Sequence, residues 1–333
     1  MLRAMDSAVA GLRAHQNKMD VVGHNIANVN TFGFKAQTYT FKEAMYQTST
    51  ASTAGASGTN GSAGTNAAQY GYGTLMGSIG VDMTSSTPSY VGGFNATIDG
   101  EGFFITSPEK KAGFDAGADI KGENFNYTRV GQFMVDSNGY IVDANKNFVY
   151  GYRSELKNGE VTGTSDKLTT LRLPSLKDTT SGELVLEEGD GKDPVISIAI
   201  EVNAFGKITA TVQIEHDVTT GTGAGQTTEK VKSSKTIEIG QLAIATFQNP
   251  NGLTKAGGNY YVTNKNDNAG QVAAGKPGEG GSASLMTGYI ESSNVDLAKE
   301  FADMITTHRG FQANSKMITV SDEILQELVN MKR

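Results

Sequence analysis

Apolar residues at the two ends of the chain recur at three- and four-residue steps, while between them they alternate with polar residues. This predicts helical ends around a strand-rich middle. At the start, Leu2, Met5, Val9, Leu12, Met19, Val22, Ile26 and Val29 fall on one helical stripe, interrupted by Gln16. At the other end, Leu297, Phe301, Met304, His308, Phe311, Ser315, Ile318, Asp322, Leu325 and Val329 alternate steps of four and three, a heptad seam held for about four heptads. Ser293-Asn294-Val295-Asp296 ahead of it is a capping-box-like start, with Ser293 placed to accept from the first free backbone N–H groups. Helices over about 2–29 and 294–332 would be about 40 and 58 Å long at 1.5 Å per residue, more than a small domain covers. Each needs the other helix, the body or another subunit. His308, Ser315 and Asp322 in the seam favour contacts in which register and partner choice matter over a simple intramolecular hairpin.

The helical period runs to about residue 48 and resumes at about 291. From Ser49 to Gln69 there is no charge and nothing apolar larger than Ala, so residues 49–70 are expected to be a flexible linker. Strands then begin at Ile98 and, after the turn Asp99-Gly100-Glu101-Gly102, at Phe103-Phe104-Ile105. Asn138-Gly139 between Met134-Val135 and Ile141-Val142 predicts a hairpin. A second hairpin joins the alternating Ile196, Ile198, Ile200 and Val202 to Ile208, Ala210, Val212 and Ile214. The expected fold is mainly β with paired terminal helices, a coiled-coil core carrying two β-rich domains in series. Residues 1–48 and 291–333 make the helical core, 71–148 and 238–290 an inner β domain, and 149–237 an outer domain inserted into it.

Composition narrows the function. Gly is 41 of 333 residues and charged residues are only 19%, a turn-rich β composition. Lys and Arg number 28 against 35 Asp and Glu, a net charge of -7, so the basic face of a nucleic-acid binder is missing. Neither a cleavable signal peptide nor a membrane span is expected. With no cysteine there is no disulfide or thiolate chemistry. His15, His24, His216 and His308 are scattered, and no metal site is expected. The run Gly221-Thr222-Gly223-Ala224-Gly225-Gln226 lacks the third glycine of a dinucleotide fingerprint, and no Gly-Lys pair is followed by Ser or Thr. Asp143-Ala144-Asn145-Lys146-Asn147 starts like a calcium loop but has Phe148 where the turn glycine belongs. No catalytic residue, cofactor or metal ligand is assigned, and an enzyme is not expected.

Two longer motifs carry more information. Met19-Asp20-Val21-Val22-Gly23-His24-Asn25-Ile26-Ala27-Asn28-Val29-Asn30-Thr31-Phe32-Gly33-Phe34-Lys35 resembles the N-terminal signature of the bacterial flagellar rod and hook subunits. Ser293 to Leu297, Arg309-Gly310-Phe311-Gln312-Ala313-Asn314-Ser315-Lys316 and Asp322 to Leu328 resemble the C-terminal signature of the same family. Ile98 to Phe104 and Phe247 to Leu253 are similar too, so the resemblance covers all but the linker and the inserted piece. His24 and His308 stand where the family more often shows amides.

The resemblance implies a structural subunit of the flagellum with no cofactor, metal or nucleic acid. Its terminal helices would pair and pack with many copies of itself into a helical tube around an export channel. The self-assembly core would be Leu2, Met5, Val9, Leu12, Met19, Val22, Ile26, Val29, Leu297, Phe301, Met304, Phe311, Ile318, Leu325, Leu328 and Val329. Asn25, Asn28, Gly33 and Phe34 would form the family's turn, which also reads as a helix stop. Phe41 and Met45 match the Phe-plus-four spacing read by the export gate. The strand-rich piece 149–237 resembles the extra outer domain of hook subunits, implying a hook subunit, a curved universal joint between rod and filament. A distal rod subunit is the alternative, and a secreted β-rich adhesin or enzyme a more remote one. The implied partners are the distal rod, hook cap and hook-filament junction proteins and the type III flagellar export apparatus. The implied location is the extracellular hook region of the basal body, reached without a cleaved signal.

Overall fold

The computed structural model describes residues 2–55, 63–111, 113–115, 120–157, 160–178, 184–187, 197–220 and 227–331. Contacts divide the chain into two compact units, one of residues 1–30, 35–82 and 294–333, the other of 31–34 and 83–293.

The first unit holds both long helices, α1 (Leu2–Ala27) and α2 (Leu297–Met331). Asp296, not the expected Ser293, starts α2: its Oδ1 accepts from Ala298 N at 2.9 Å and Lys299 N at 3.3 Å. A carboxylate satisfies the free N–H groups and also sits favourably at the positive end of the helix. α1 closes where Asn28 N and Val29 N donate to Asn25 O and Ile26 O, at 3.1 and 3.4 Å. These three-residue closures tighten the last turn and end the helix.

The helical period expected as far as residue 48 is not followed. Instead come β1 (Gln37–Glu43), β2 (Tyr46–Thr50), β3 (Ala68–Gly71) and β4 (Thr74–Val81). β1 pairs antiparallel with β4, and β2 with β3. The expected linker 49–70 is therefore partly strand, and Thr53 and Thr65 are bridged beyond β2 and β3. Both of these strands are exposed throughout. Their order comes from the backbone ladder and from hydroxyl and amide pairs such as Thr53 Oγ1 with Thr65 Oγ1 at 2.7 Å, which an apolar pattern does not register. Residues 71–82, expected in the inner β domain, belong to this unit because β4 pairs with β1.

The second unit is built on a 14-stranded sheet. Its main path runs from Ser197–Val202 through Lys207–Thr220, Thr227–Leu242, Phe148–Lys157 and Phe103–Ser107 to Asn126–Thr128, Tyr260–Val262 and Thr254–Gly257. The apolar run at Phe103 reflects burial on both faces. Phe104 joins one core with Ile98, Ile141, Val149 and Leu242, while Phe103 and Ile105 join another with Tyr127, Tyr150 and Val272. The Asn138-Gly139 hairpin forms, pairing Phe133–Val135 with Ile141–Asp143 around Gly139 at φ +78°. The second hairpin turns at Asn203 to Gly206, where Asn203 Oδ1 accepts from Phe205 N and Lys207 N at 3.0 and 2.9 Å. Asp143 Oδ1 accepts from Asn145 N and Asn147 N, each at 2.9 Å, so the calcium-like stretch is a closed turn.

Residues 149–237 are not set apart from the strands around them. Leu171, Leu173, Val202, Ile208, Ala210 and Ile237 share one core with Ile98, Phe104, Ile141 and Leu285. Phe148–Lys157 pairs with Phe103–Ser107 on one side and Thr227–Leu242 on the other, so the sheet runs across the expected boundaries. Alternation marks strands; it does not say which strands share a core. Ile196, Gly191-Lys192 and Gly221 to Gln226 lie outside the described residues.

Candidate assembly interface

α1 and α2 run antiparallel, with Gly11 facing Asn314, His15 facing Gly310, Lys18 facing Asp303 and Asn25 facing Glu300. Their seam is small and polar. Ala8, Ala14, Val21, Val22 and Asn25 are buried on α1, and Glu300, Thr307 and Ser321 on α2. A Cβ on Gly11 would lie 2.8 Å from Asn314 Nδ2, and one on Gly310 2.7 Å from His15 Cε1. Glycine at those two positions is what lets the backbones approach. Lys18 Nζ meets Asp303 Oδ1 at 3.0 Å.

Two asparagines, one from each terminal motif, fasten the open end of the β1 and β4 hairpin to the helices. Asn25 is 1% exposed; its Nδ2 donates to Gln37 O at 2.8 Å and to Glu300 Oε1 at 3.0 Å, and its Oδ1 accepts from Gln37 N at 2.9 Å. Asn294 Oδ1 accepts from Ala36 N at 2.7 Å, and its Nδ2 donates to Asp82 O at 3.0 Å. An amide both donates and accepts, which is what pairing with a strand's N–H and C=O requires.

Burial raises the pKa of Glu300 above the ordinary carboxylate value, against the hydrogen bond from Asn25. Burial lowers the pKa of His15, and the charge of Lys18 lowers it further. The His15 ring lies 5.4 Å from that of Phe41. Neither His15 Nδ1 nor Thr307 Oγ1 finds a hydrogen-bond partner among the described residues.

Beyond the seam the unit is open. Met317, Val320, Ile324, Leu328 and Met331 recur on α2 at steps of three, four, four and three, and all are exposed. Phe41, Leu75, Met76 and Ile79 are exposed on β1 and β4. Seventeen of the twenty-two exposed large hydrophobic side chains among the described residues belong to this smaller unit. Such a concentration of open apolar side chains is the kind of surface that contacts between proteins use.

The anticipated core residues divide between seam and surface. On α1, Val22 is buried, Met5, Leu12, Met19 and Ile26 are half-buried, Val9 is exposed, and the side chain of Leu2 lies outside the described residues. Val29, just past the helix, is half-buried. On α2, Met304, Phe311, Ile318 and Leu325 are half-buried at the seam, whereas Leu297, Phe301, Leu328 and Val329 are exposed. The seam takes the polar neighbours Glu300, Thr307, Asn314 and Ser321 in place of Phe301, His308, Ser315 and Asp322. The sequence reading did not assign Ala8, Gly11, Ala14, Thr307 and Gly310 to the interface; their small size at three-residue steps is the signal that would have found them.

Of the family turn, Asn25 makes the clamp, while Asn28 Nδ2 donates to His24 O at 2.9 Å. Gly33 and Phe34 belong to the second unit. Gly33, at φ +67°, donates its N–H to Glu291 O at 2.8 Å, and a Cβ there would lie 2.7 Å from Val130 Cγ2. Phe34 is buried, with Lys255 Nζ 4.8 Å from its ring centre. Nearby, Arg129 and Glu291 form a buried ion pair at 3.5 Å, both 2% exposed. Phe41 lies on β1 and Met45 just beyond it, both exposed.

The described residues of the second unit also form concavities. One of about 520 Å³ is lined by Asp99, Glu101, Phe103 and Phe247, and one of about 330 Å³ by Lys111, Tyr140, Arg153 and Glu155. No three His, Asp or Glu side chains are placed to hold a metal ion among the described residues, and no helix there is long and apolar enough to cross a membrane.

Residues 5–35 match the family model described as "Flagella basal body rod protein", and residues 286–331 the one described as "Flagellar basal body rod FlgEFG protein C-terminal". The chain is 37% identical over 335 aligned positions to the flagellar basal-body rod protein FlgG of Bacillus subtilis, spanning all of both chains. It is 28% identical over 466 positions to the flagellar hook protein FlgE of Borreliella burgdorferi, again over all of both. To the flagellar hook protein FlgE of Caulobacter vibrioides it is 39% identical over 149 positions, 44% of this chain and 23% of that one. The chain belongs to the flagellar rod and hook family, the structural proteins of the bacterial flagellar basal body and hook.

Proposed function

We propose that this chain is a hook subunit that polymerises through its first unit into a curved helical tube enclosing the export channel. The observation that carries the polymer is the open apolar stripe on α2, on residues the α1 seam does not use. A stripe buried against a different patch of the next copy makes a head-to-tail contact, and repeated contacts that do not close give a helix. Burial at about 25 cal/mol per Å² is then realised on assembly. The choice of hook rests on sequence alone, that of the strand-rich stretch 149–237, which resembles the extra outer part of hook subunits although its strands share a core with those on either side. Phe41 and Met45, exposed on and beside β1, stand as the export-gate contact, and the type III apparatus as the exporter. The distal rod protein, cap and junction proteins are the neighbours this place in the flagellum implies.

The 37% identity to a relative named as a rod protein favours a second reading, the distal rod subunit. Detergent-released basal bodies labelled with antibody against residues 149–237 separate the two under the electron microscope. Label on the short curved segment outside the envelope is expected. Label confined to the straight rod selects the second reading, and label absent from both sinks the two together.

A further inference from the structure

The chain has eleven methionines and no cysteine, so thioether oxidation is its only sulfur redox chemistry. The five most open methionines among the described residues are Met45 at 78% exposure, Met331 at 75%, Met317 at 52%, Met76 at 47% and Met134 at 45%. Four of these five lie in the first unit, and only Met134 lies in the second, although the second is the larger. Their places are not random on that unit. Met317 and Met331 stand at the two ends of the open stripe on α2, with Val320, Ile324 and Leu328 between them. Met76 is in register opposite Phe41 across β4 and β1, and Met45 lies just past the end of β1. Thioethers suit such a surface because they are apolar, unbranched and adaptable in packing. They are also the side chains there that a mild oxidant changes.

We propose that Met45, Met76, Met317 and Met331 are a reversible oxidation site, and that their sulfoxides hold the subunit out of the polymer. This rests on the assembly reading above. The thioether sulfur attacks one oxygen of a peroxide; a sulfur–oxygen bond forms, the oxygen–oxygen bond breaks, and the departing oxygen takes up the proton and leaves as water. The sulfur loses two electrons and the peroxide gains them. The product is polar and chiral where a neighbouring copy needs an apolar contact, and methionine sulfoxide reductases reverse it. Before assembly the four sulfurs are open to oxidant; a copy that covers the α2 stripe shields Met317 and Met331, and one that covers β1 and β4 shields Met45 and Met76.

The full chain, purified and allowed to polymerise, is followed by sedimentation and electron microscopy before and after dilute hydrogen peroxide, with sulfoxides located by mass spectrometry. The expected result is oxidation at the four methionines and at Met134, and a rise of about tenfold or more in the concentration needed for polymer. The M45L/M76L/M317L/M331L variant is compared with its own untreated polymer, and the same treatment is expected to leave the concentration it needs unchanged even though Met134 is oxidised. Treating the oxidised natural chain with both stereospecific sulfoxide reductases is expected to restore polymer, which tests the site without any substitution. Normal polymer from fully oxidised chain overturns the proposal alone, as does equal loss in the four-leucine variant or failure of repair. Untreated chain that never polymerises overturns the assembly reading and this proposal with it.

Discussion

Burial acts on His15 and Glu300 in opposite senses, and each has its own pH signature. The pKa of His15 is lowered in the helix pair, so the folded form refuses a proton that the unfolded form accepts near pH 6.5. Its contribution to stability is present above that pH and is lost as the pH falls. The pKa of Glu300 is raised, so the folded form keeps a proton that the unfolded form releases; its contribution is present at low pH and is lost as the pH rises through the raised value. The charged groups around them, Lys18 and Asp303, are paired at 3.0 Å. Helix content by circular dichroism during thermal unfolding is therefore expected to show a midpoint that falls between about pH 7.5 and about pH 6. The fall disappears in H15Q, and in E300Q the gain at still lower pH disappears instead. A natural-chain midpoint that is flat across the upper window would contradict the lowered pKa. The same scale separates the asparagines of the terminal motif. Asn25 reaches two strand atoms and a helix carboxylate, whereas Asn28 Nδ2 reaches back to His24 O one turn before it.

At the scale of elements, the sequence pattern located both helices to within a few residues and placed the Asn138-Gly139 hairpin, because period and turn chemistry are local. It placed half of each α2 heptad correctly, at Met304, Phe311, Ile318 and Leu325, and displaced the other half by one residue. The cause is the weight given to large apolar side chains. The seam is closed by Gly11 and Gly310 and filled out by Thr307, Asn314 and Ser321, so Phe301 is left on the outer side. The hairpin of β2 and β3 was illegible for a related reason, since backbone ladders and hydroxyl pairs hold it without apolar burial. Glycine offers a direct test. Alanine is better than glycine inside a helix by about 1 kcal/mol. Gly23 has nothing within 4 Å of an added Cβ, so Gly23→Ala is expected to stabilise the helices by about that amount. Gly310→Ala gains the same propensity but drives a Cβ to 2.7 Å from a His15 ring already packed beside Phe41, and is expected to destabilise. Chemical unfolding followed at the helix signal measures both. Equal stabilisation by the two substitutions would mean that the helices do not approach as closely as Gly310 implies.

At the scale of the whole molecule, the two units differ in what they leave uncovered. The larger unit buries apolar side chains on both faces of its sheet, which is a complete core. The smaller one spends small and polar residues on its internal seam and leaves large apolar ones outside, the reverse of what a free-standing helix pair needs. That inversion makes sense for a part whose second layer is another copy. On the assembly proposed above, folding and assembly can be separated by substitution, because adjacent residues on α2 lie on different faces. Leu325 is half-buried at the α1 seam, while Ile324 and Leu328 lie on the open stripe at 42% and 44% exposure. Ile324→Lys with Leu328→Lys puts two ammonium groups into water in the free subunit and into an apolar contact in the polymer. An unpaired buried ammonium costs several kcal/mol, and about 1.4 kcal/mol is a factor of ten. The double variant is therefore expected to keep the helix content and thermal midpoint of the natural chain and to need at least about 100-fold more protein before polymer sediments. Leu325→Lys is expected to do the opposite first, lowering the helix midpoint before any assembly is measured. Tubes forming from the double variant at the natural concentration would show that the stripe faces water in the polymer, and the contact between copies would then have to lie on β1 and β4.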